Sequence, residues 1–330
     1  MTSDTSISRR QAVQSLLATG LAAALPARAQ TFPNRTISWM VPYAVGAATD
    51  LLTRRLAQEL AASLGQSVIV ENVPGGGSTV GAARLAKDNP DGHRIITLDV
   101  AGLAIHPAAA ERLAYDPVKS FTPISMAWRI PFVLVTHAAQ GPRTLAQLLT
   151  RAKAQPDALT YGSAGVGSAI HMAMVLLEDQ AGVRLTHIPY SGAAPALQDV
   201  LAGRVDAMFI SLGAALPHLK SGRLQAIAAS GSKRFEASPE IATIAEQGVA
   251  GYEASSWQGV LGPAGMPDAV RDRLNRAIGQ ALATPSVVER FKAAGADPEP
   301  SSPQAFAAYI RNESAKWAHV IRAKGIRLDQ

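Results

Sequence analysis

The chain has 330 residues, a formal net charge of +6 and no cysteine. Without thiols there can be no disulfide framework, cysteine nucleophile or thiolate metal site. Lysine and arginine are scattered among acidic residues, and aromatic residues make up only 5% of the chain, so a nucleic-acid partner is not expected.

The first residues have the features of an export signal. A basic pair at Arg9 and Arg10 precedes an apolar run, and small residues flank Arg28 at positions 27 and 29. The run is shorter than the roughly twenty apolar residues that cross a bilayer. The sequence therefore predicts a signal over residues 1–29 that is cleaved after Ala29, and a periplasmic mature protein. The arginine pair leaves both the twin-arginine and the Sec route open.

From Thr36 the chain alternates short apolar runs with amphipathic segments. Strands are predicted at "ISWMVPY", "SVIVENV" and "HRIITLD", and helices at "TDLLTRRLAQELAASLG", which ends at Gly65, and within "STVGAARLAKDNPDG". This order of strands and helices predicts a parallel sheet with helices on its faces.

A second unit of the same kind begins near "FVLVTH" and includes the strands "LTYGS", "LTHIPY", "VDAMFIS" and "LQAIAAS". The end of the chain reads as mostly helical. We therefore expect two α/β lobes, one formed by residues 30–127 and 253–330 and the other by residues 128–252. The predicted hinges are "MAWRIPF" and the loop "GVAGYEASSWQG".

The stretch "TYGSAGVGSAIHMA" joins a predicted strand to a predicted helix through glycines and serines. Ile170 stands where a dinucleotide-binding fingerprint requires a small residue. Tyr161 and Val166 stand where a nucleophile elbow requires glycine. What remains is a strand end, glycines that permit close backbone approach, and Ser168 at a helix start.

Such a turn leaves backbone amides without partners at the positive end of a helix dipole, which suits an anion. Ser163 and Ser168 could add hydroxyl donors and His171 could donate or pack. Alternatively the glycines only form a tight turn and Ser168 only caps its helix. The same pattern occurs in "VPYAVGAATD" and "IPYSGAAPALQD", so three such turns are expected at the carboxyl ends of two sheets.

Two other chemistries are open to these residue types. A serine-type hydrolase would use Ser163 or Ser168 as nucleophile, His171 or His187 as base, and Asp199 or Asp206 to orient the base. A metal site is not expected, because the seven histidines form no ligand pair at helical spacing. No cofactor is predicted.

Four blocks carry a resemblance to a known family. These are the run from "VPYAVGAATD" to "DGHRI", then "YGSAGVGSAIHMA", "HIPYSGAAPALQDVLAGRVDAMF" and "SSWQGVLGPAGMP". In this order they resemble the Bug-type solute receptors of tripartite tricarboxylate transporters over essentially the whole mature chain. The resemblance implies an α/β fold of the two-lobed periplasmic binding protein type (type II-like, flytrap), with a ligand cleft between the lobes.

The resemblance also implies a function. It points to a non-catalytic periplasmic receptor that captures a small carboxylate and delivers it to a membrane permease. The protein is expected to act as a monomer without a cofactor. A ligand sensor without a transport role is the other possibility within this class.

Matched to the family, the ligand-binding positions come from both lobes. In the first loop Val45, Gly46, Ala47 and Ala48 replace the more glycine-rich pattern usual in the family. Ser78 or Thr79 in "ENVPGGGST" either reaches the ligand or only forms a turn, and Trp257 either borders the cleft or packs near a hinge. The full predicted set is Tyr43, Ala44, Gly46, Ala47, Ala48, Thr49, Asp50, Ser78, Ser163, Ala164, Gly167, Ser168, His171, Tyr190, Gly192, Asp206 and Trp257.

Overall fold

The structure of the protein, a computed structural model, describes residues 32–110 and 112–328. The predicted export signal and its cleavage site lie outside these residues. In the described ranges, no helix combines the length and the apolar character that a bilayer crossing requires.

Ten strands and ten α-helices are assigned within the described residues. The strands are β1 (Ile37–Val41), β2 (Val68–Asn72), β3 (Arg94–Asp99), β4 (Phe121–His137), β5 (Thr160–Ser163), β6 (Thr186–Pro189), β7 (Ala207–Ser211), β8 (Leu224–Ala229), β9 (Ser255–Pro263) and β10 (Asp297–Pro298). The helices are α1 (Ala48–Leu64), α2 (Thr79–Leu85), α3 (His106–Ala109), α4 (Leu145–Ala154), α5 (Ala169–Ala181), α6 (Ala193–Leu201), α7 (Leu212–Lys220), α8 (Asp268–Ala283), α9 (Pro285–Ala293) and α10 (Pro303–Lys324).

The first sheet contains the predicted parallel strands in the order β2-β1-β3. β3 is almost wholly buried, as expected for a strand covered on both faces. Helix α1 ends where predicted, at Gly65, whose φ of 67° is the left-handed conformation that glycine adopts most readily. The predicted parallel sheet is confirmed for these three strands but does not extend further, because β9 pairs antiparallel with both β3 and β4.

The second sheet contains β5, β6 and β7 in parallel, with β4 and β8 added antiparallel. Strand β4 belongs to both sheets: it pairs with β9 as far as Pro131 and with β7 from Phe132 onward. The segment "MAWRIPF" is therefore part of a continuous strand and not a separate connecting loop. Proline suits this changeover because it has no N–H to donate to a ladder.

The changeover is held by a network around Arg129, whose side chain is only 14% exposed. Its guanidinium forms ion pairs with Glu253 at 2.7 Å and Glu299 at 2.8 Å and donates to the Tyr309 hydroxyl at 3.0 Å. These contacts connect the middle of β4 to the segment before β9, to the segment after β10 and to α10. The two sheets are thus joined at a well-packed crossing.

Candidate functional site

Three loops connect the carboxyl ends of parallel strands to helix starts. The first loop is residues 43–47, between β1 and α1; the second is residues 164–168, between β5 and α5; the third is residues 190–192, between β6 and α6. A glycine-rich turn, residues 74–78, precedes α2. Because the ends of parallel strands share one edge of a sheet, these loops border the crevice at which α/β proteins bind ligands.

Leu328 lies between the loop-bearing edges of the two sheets and contacts a residue on each side. Its N–H lies 3.4 Å from the carbonyl oxygen of Ala109, in the segment that follows β3. Its side chain packs on Gly167 of the second loop, where an added Cβ would lie 2.6 Å from the Leu328 Cδ2 atom. A single residue, Leu328, therefore contacts both the segment after β3 and the second loop.

The first loop is held by Asp50, in the first turn of α1. Its carboxylate accepts from the Gly46 N–H at 2.9 Å and from the Asn72 side chain at 2.9 Å, and it forms an ion pair with Arg54 at 2.9 Å. Burial alone would raise the pKa of this carboxyl, but the bonds from Arg54, Gly46 and Asn72 outweigh burial and lower the pKa. Asp50 thus stays ionised and fixes the loop.

This arrangement decides which amides can bind an anion. The Gly46 N–H is already used by Asp50, and the Ala47 N–H donates to the Ala44 carbonyl. Within the described part of the chain, no acceptor is recorded for the N–H groups of Ala44, Val45, Ala48 and Thr49. The last two are the first amides of α1, where the helix dipole is positive.

Asp99 joins three elements behind the first loop. It accepts hydrogen bonds from the Tyr43 hydroxyl at 2.5 Å, the Ser78 hydroxyl at 3.4 Å and the Gly102 N–H at 3.2 Å. Burial raises the pKa of this carboxyl and also raises the pKa of Tyr43 well above its ordinary value, so the phenol keeps its proton. The end of β1, the glycine-rich turn and the end of β3 are connected through one acid.

In the second loop, Ser168 is the N-cap of α5. Its hydroxyl accepts from the His171 N–H at 3.3 Å and donates to the Gly165 carbonyl at 2.7 Å. The Gly167 N–H donates to Nδ1 of His171 at 3.2 Å. The predicted capping role of Ser168 is therefore present, and its contact with a ligand stays a prediction.

The histidines below this loop are neutral. Burial, and then the proximity of His187, lower the pKa of His171 to about 3, and burial lowers the pKa of His187. The two rings lie 4.1 Å apart, and Tyr161 stacks on His187 at 4.8 Å. Since Nδ1 of His171 accepts a hydrogen bond, the neutral ring carries its proton on Nε2.

The second loop also presents unused amides. The Gly165 N–H donates to the Ser163 hydroxyl at 3.1 Å, and the Ser168 N–H donates to the Gly165 carbonyl. No acceptor in the described ranges is recorded for the N–H groups of Ala164, Val166, Ala169 and Ile170. Each sheet therefore contributes a loop and a helix start with free donors.

The structure places most of the predicted site residues at this edge, but not all of them. Tyr190 and Gly192 lie in the third loop, where the Tyr190 hydroxyl donates to Asp199 at 2.6 Å. Asp206 lies at the opposite, amino-terminal end of β5, where it accepts from the Thr160 N–H at 2.8 Å. The structure therefore gives no reason to count Asp206 among the cleft residues.

Trp257 is also not at the cleft surface. It is fully buried in β9, donates from Nε1 to Glu313 at 2.9 Å and packs edge-on against Phe306 and Tyr309. With no exposed surface, the indole packs β9 against α10. Of the two roles expected for Trp257, bordering the cleft or packing, the structure shows packing.

The hydrolase arrangement is not assembled in the described residues. Ser163 lies 2.6 Å from Nε2 of His187, but Ser163 is fully buried. Asp199 bonds Tyr190 and Arg204, so it does not orient an imidazole. A fully buried serine whose histidine partner has no orienting acid matches a structural pair better than a nucleophile.

Sequence reasoning missed Asn72 and Asp99. Asn72 is the last residue of β2 and donates to the Tyr43 carbonyl at 2.9 Å as well as to Asp50. Asp99 ends β3, whose residues are buried from Ile95 onward. A polar residue at the carboxyl end of a predicted strand was the available signal in both cases.

Replacing His171 with asparagine should flatten the pH dependence of stability. The pKa of His171 in the folded chain is about 3, below the ordinary value of 6.5. The unfolded chain therefore binds more protons between these values, and the free energy of unfolding should fall as pH drops through this window.

Urea unfolding between pH 7.5 and 4.5 measures this dependence. We expect a shallower decline in H171N than in the parent, whereas His319→Asn, at an exposed position on α10, should decline in parallel with the parent. Parallel curves for H171N and the parent would contradict a buried neutral His171.

Comparison with known proteins gives one consistent result. The model of the tripartite tricarboxylate transporter family receptor matches residues 52–326. Protein BugT of Bordetella pertussis is 35% identical over 306 residues, which cover 92% of this chain and 94% of BugT. A protein from the tcbD-tcbE intergenic region of Pseudomonas sp. strain P51 is 37% identical and covers 89% of this chain and 88% of its own length.

Solved structures agree with these matches. R. palustris Rpa4515 with adipate superposes with a TM-score of 0.76 and 32% identity, covering 90% of this chain and 99% of that one. MatC from Rhodopseudomonas palustris with bound malate superposes with a TM-score of 0.73 and 33% identity, covering 88% and 100%. The predicted fold and the predicted resemblance are both confirmed.

Proposed function

The chain belongs to the tripartite tricarboxylate transporter receptor family, whose members are periplasmic solute-binding proteins, and we propose that it captures one carboxylate between its first and second loops. The observation that carries the proposal is the set of free amides at the starts of α1 and α5, on the edges of two sheets that meet near Leu328. Two relatives of known structure are described with adipate and with malate.

Capture proceeds in two steps in this proposal. The free amides of Ala44, Val45, Ala48 and Thr49 first bind the carboxylate, helped by the positive end of the α1 dipole. Closure of the second lobe then brings the amides of Ala169 and Ile170 onto the same anion. Because closure buries the ligand, the closed form is populated mainly when ligand is bound.

The internal hydrogen bonds have a clear purpose in this mechanism. Asp50 and Asn72 hold the first loop, while Ser168 and His171 hold the second, so neither loop has to become ordered when the ligand arrives. Pre-organised donors lose less conformational entropy on binding. The same bonds leave only selected amides free, which defines where the carboxylate lies.

The remaining parts of the proposal concern the whole protein. We infer that residues 1–29 are an export signal cleaved after Ala29. One lobe is formed by residues 30–127 and 253–330, and the other by residues 128–252. The mature chain acts as a monomer, needs no cofactor and passes its ligand to a membrane permease. It carries out no reaction, in line with a family of solute receptors.

A thermal-shift screen of residues 30–330 tests the proposed function. The probes are mono-, di- and tricarboxylates, amino acids and sugars of similar size. A bound ligand at about a hundred times its dissociation constant adds roughly 2.7 kcal/mol of stability, which raises the melting temperature visibly. We expect hits confined to carboxylates. Hits confined to sugars, or a flat response in refolded, ligand-free protein, would contradict the proposal.

A further inference from the structure

We propose that the tail that follows α10, residues 325–328, is a latch that holds the second loop close to the segment after β3 and so helps to retain a bound ligand. The part that concerns the ligand rests on the proposed function, whereas the latch itself can be tested without ligand. Three features of the chain carry the proposal: the way α10 ends, the elements that hold α10, and the contacts of Leu328.

The end of α10 sets the direction of the tail. Gly325 has a φ of 63°, in the left-handed region, and its N–H donates to the Arg322 carbonyl at 3.3 Å. The Ile326 N–H donates back to the Ile321 carbonyl at 3.0 Å, which completes a Schellman motif. The chain therefore turns away from the helix axis at Gly325, and Ile326 and Leu328 are half-buried against the core.

Helix α10 is held by elements of the first sheet. The Glu313 carboxylate accepts from the Trp257 indole of β9 at 2.9 Å. One residue further along the helix, the Ser314 hydroxyl donates at 3.2 Å to the carbonyl of Leu103, in the segment after β3. Because the tail continues directly from this anchored helix, it should move with the first sheet.

The tail makes its outward contacts with the second sheet. Leu328 lies against Gly167 of the second loop, where an added Cβ would be 2.6 Å from the Leu328 Cδ2 atom. The Lys324 ammonium lies 3.5 Å from the carboxylate of Asp179, near the end of α5. An ion pair that is partly exposed contributes little, so Leu328 is the main contact. Both contacts would be lost if the second sheet moved away from the first.

A contact that exists in only one of two arrangements favours that arrangement. Leu328 is attached to the first sheet through α10 and touches the second, so it stabilises the arrangement in which the loops are close. In the proposed function this is the arrangement that holds the ligand. The tail takes no donor from the ligand at this point, because the N–H of Gly167 already donates to His171.

Paramagnetic relaxation tests the latch in ligand-free protein, because it detects even a minor population in which the two sheets approach each other. The chain has no cysteine, so A194C, at an exposed position in the first turn of α6, places a single nitroxide on the second sheet. The signals to follow are the amides of residues 48–52, at the start of α1. We expect L328A to reduce their relaxation enhancement by roughly twofold or more. Unchanged or stronger enhancement would overturn the latch.

Leu64 provides a matched control. It is also a half-buried leucine, but it lies at the end of α1 farthest from the first loop and packs against a different part of the core. L64A removes the same atoms without touching the tail, so it should lower the melting temperature and leave the relaxation enhancement unchanged. If L64A reduced the enhancement as much as L328A, the change would reflect general loosening of the fold, and the latch would be overturned.

Calorimetric titration with adipate and malate connects the latch to binding. These are the two acids with which relatives are described. We expect L328A to weaken binding about threefold to tenfold, since part of the burial of one leucine is lost from the closed form only, and L64A to leave binding unchanged. Tighter binding in L328A would overturn the latch, because the tail would then be a plug that the ligand displaces. Equal binding would overturn its role in retention.

Failure of the latch can be told apart from failure of the proposed function. If neither adipate nor malate binds and no carboxylate is a hit in the thermal-shift screen, the proposed function fails. The relaxation measurement needs no ligand, so it still decides whether the tail holds the two sheets together.

Discussion

Gly167→Ala is expected to weaken carboxylate binding at least tenfold and to lower the free energy of unfolding by more than 1 kcal/mol. Gly167 has a φ of 76°, a conformation that costs an alanine about 1–2 kcal/mol. Its Cβ would also lie 2.6 Å from the Leu328 side chain. The Leu328 side chain would have to shift, and relief of the backbone strain would displace the Gly167 N–H from Nδ1 of His171. Calorimetric titration and urea unfolding measure the two effects.

The same helix provides a matched control. Gly182 ends α5 with a φ of 62°, and an added Cβ there would meet nothing within 4 Å. Gly182→Ala should lower stability by about 1 kcal/mol through its backbone alone and leave binding unchanged. Equal loss of binding in both variants would mean that the second loop has no special role.

Asp50→Ala is expected to disturb the first loop. The change removes the acceptor of the Gly46 N–H and of the Asn72 side chain and leaves Arg54 without its ion-pair partner. Buried donors left without an acceptor cost about 1–3 kcal/mol each, but Gly46 is exposed and the Arg54 side chain is 41% exposed, so both can bond to water instead. We expect the free energy of unfolding to fall by about 1–2 kcal/mol and carboxylate affinity to fall at least tenfold, because the free amides lose their fixed positions.

Asp50→Asn separates shape from charge. Asparagine keeps one oxygen for the Gly46 N–H but loses the ion pair, so its stability and affinity should lie between those of the parent and D50A. If D50A bound carboxylates as tightly as the parent, the first loop would not depend on this network for its function.

The general architecture could be predicted because it depends on local patterns. Apolar runs and amphipathic segments located the parallel strands, and Gly65 marked the end of α1. The antiparallel strands β4 and β9 were harder to predict. Pro131 and Trp128 suggested a hinge and not a strand; the proline lies at the changeover between two ladders and the tryptophan packs against Phe291. Pairing between distant segments decides such strands, and a local pattern does not show it.

The candidate site, too, could be predicted from the sequence only in part. Glycines and serines at strand ends correctly indicated the loops, because backbone freedom and capping are local properties. Which amides remain free could not be predicted, since it depends on Asp50, Asn72 and His171 as partners across the fold. The sequence does not distinguish the surroundings of Asp99 from those of Asp206. In the folded chain Asp99 lies behind the first loop, whereas Asp206 lies at the amino-terminal end of β5.

The most direct test of the account compares a carboxylate with its own amide. Isothermal titration of residues 30–330 with hexanoate and with hexanamide changes the anionic group and little else. The free amides at the starts of α1 and α5 are donors for an anion, and hydrogen bonds to a charged acceptor are roughly twice as strong as neutral ones. We expect hexanoate to bind and hexanamide to bind about a hundredfold more weakly or not at all. Equal binding of acid and amide would contradict the claim that these helix starts recognise a carboxylate.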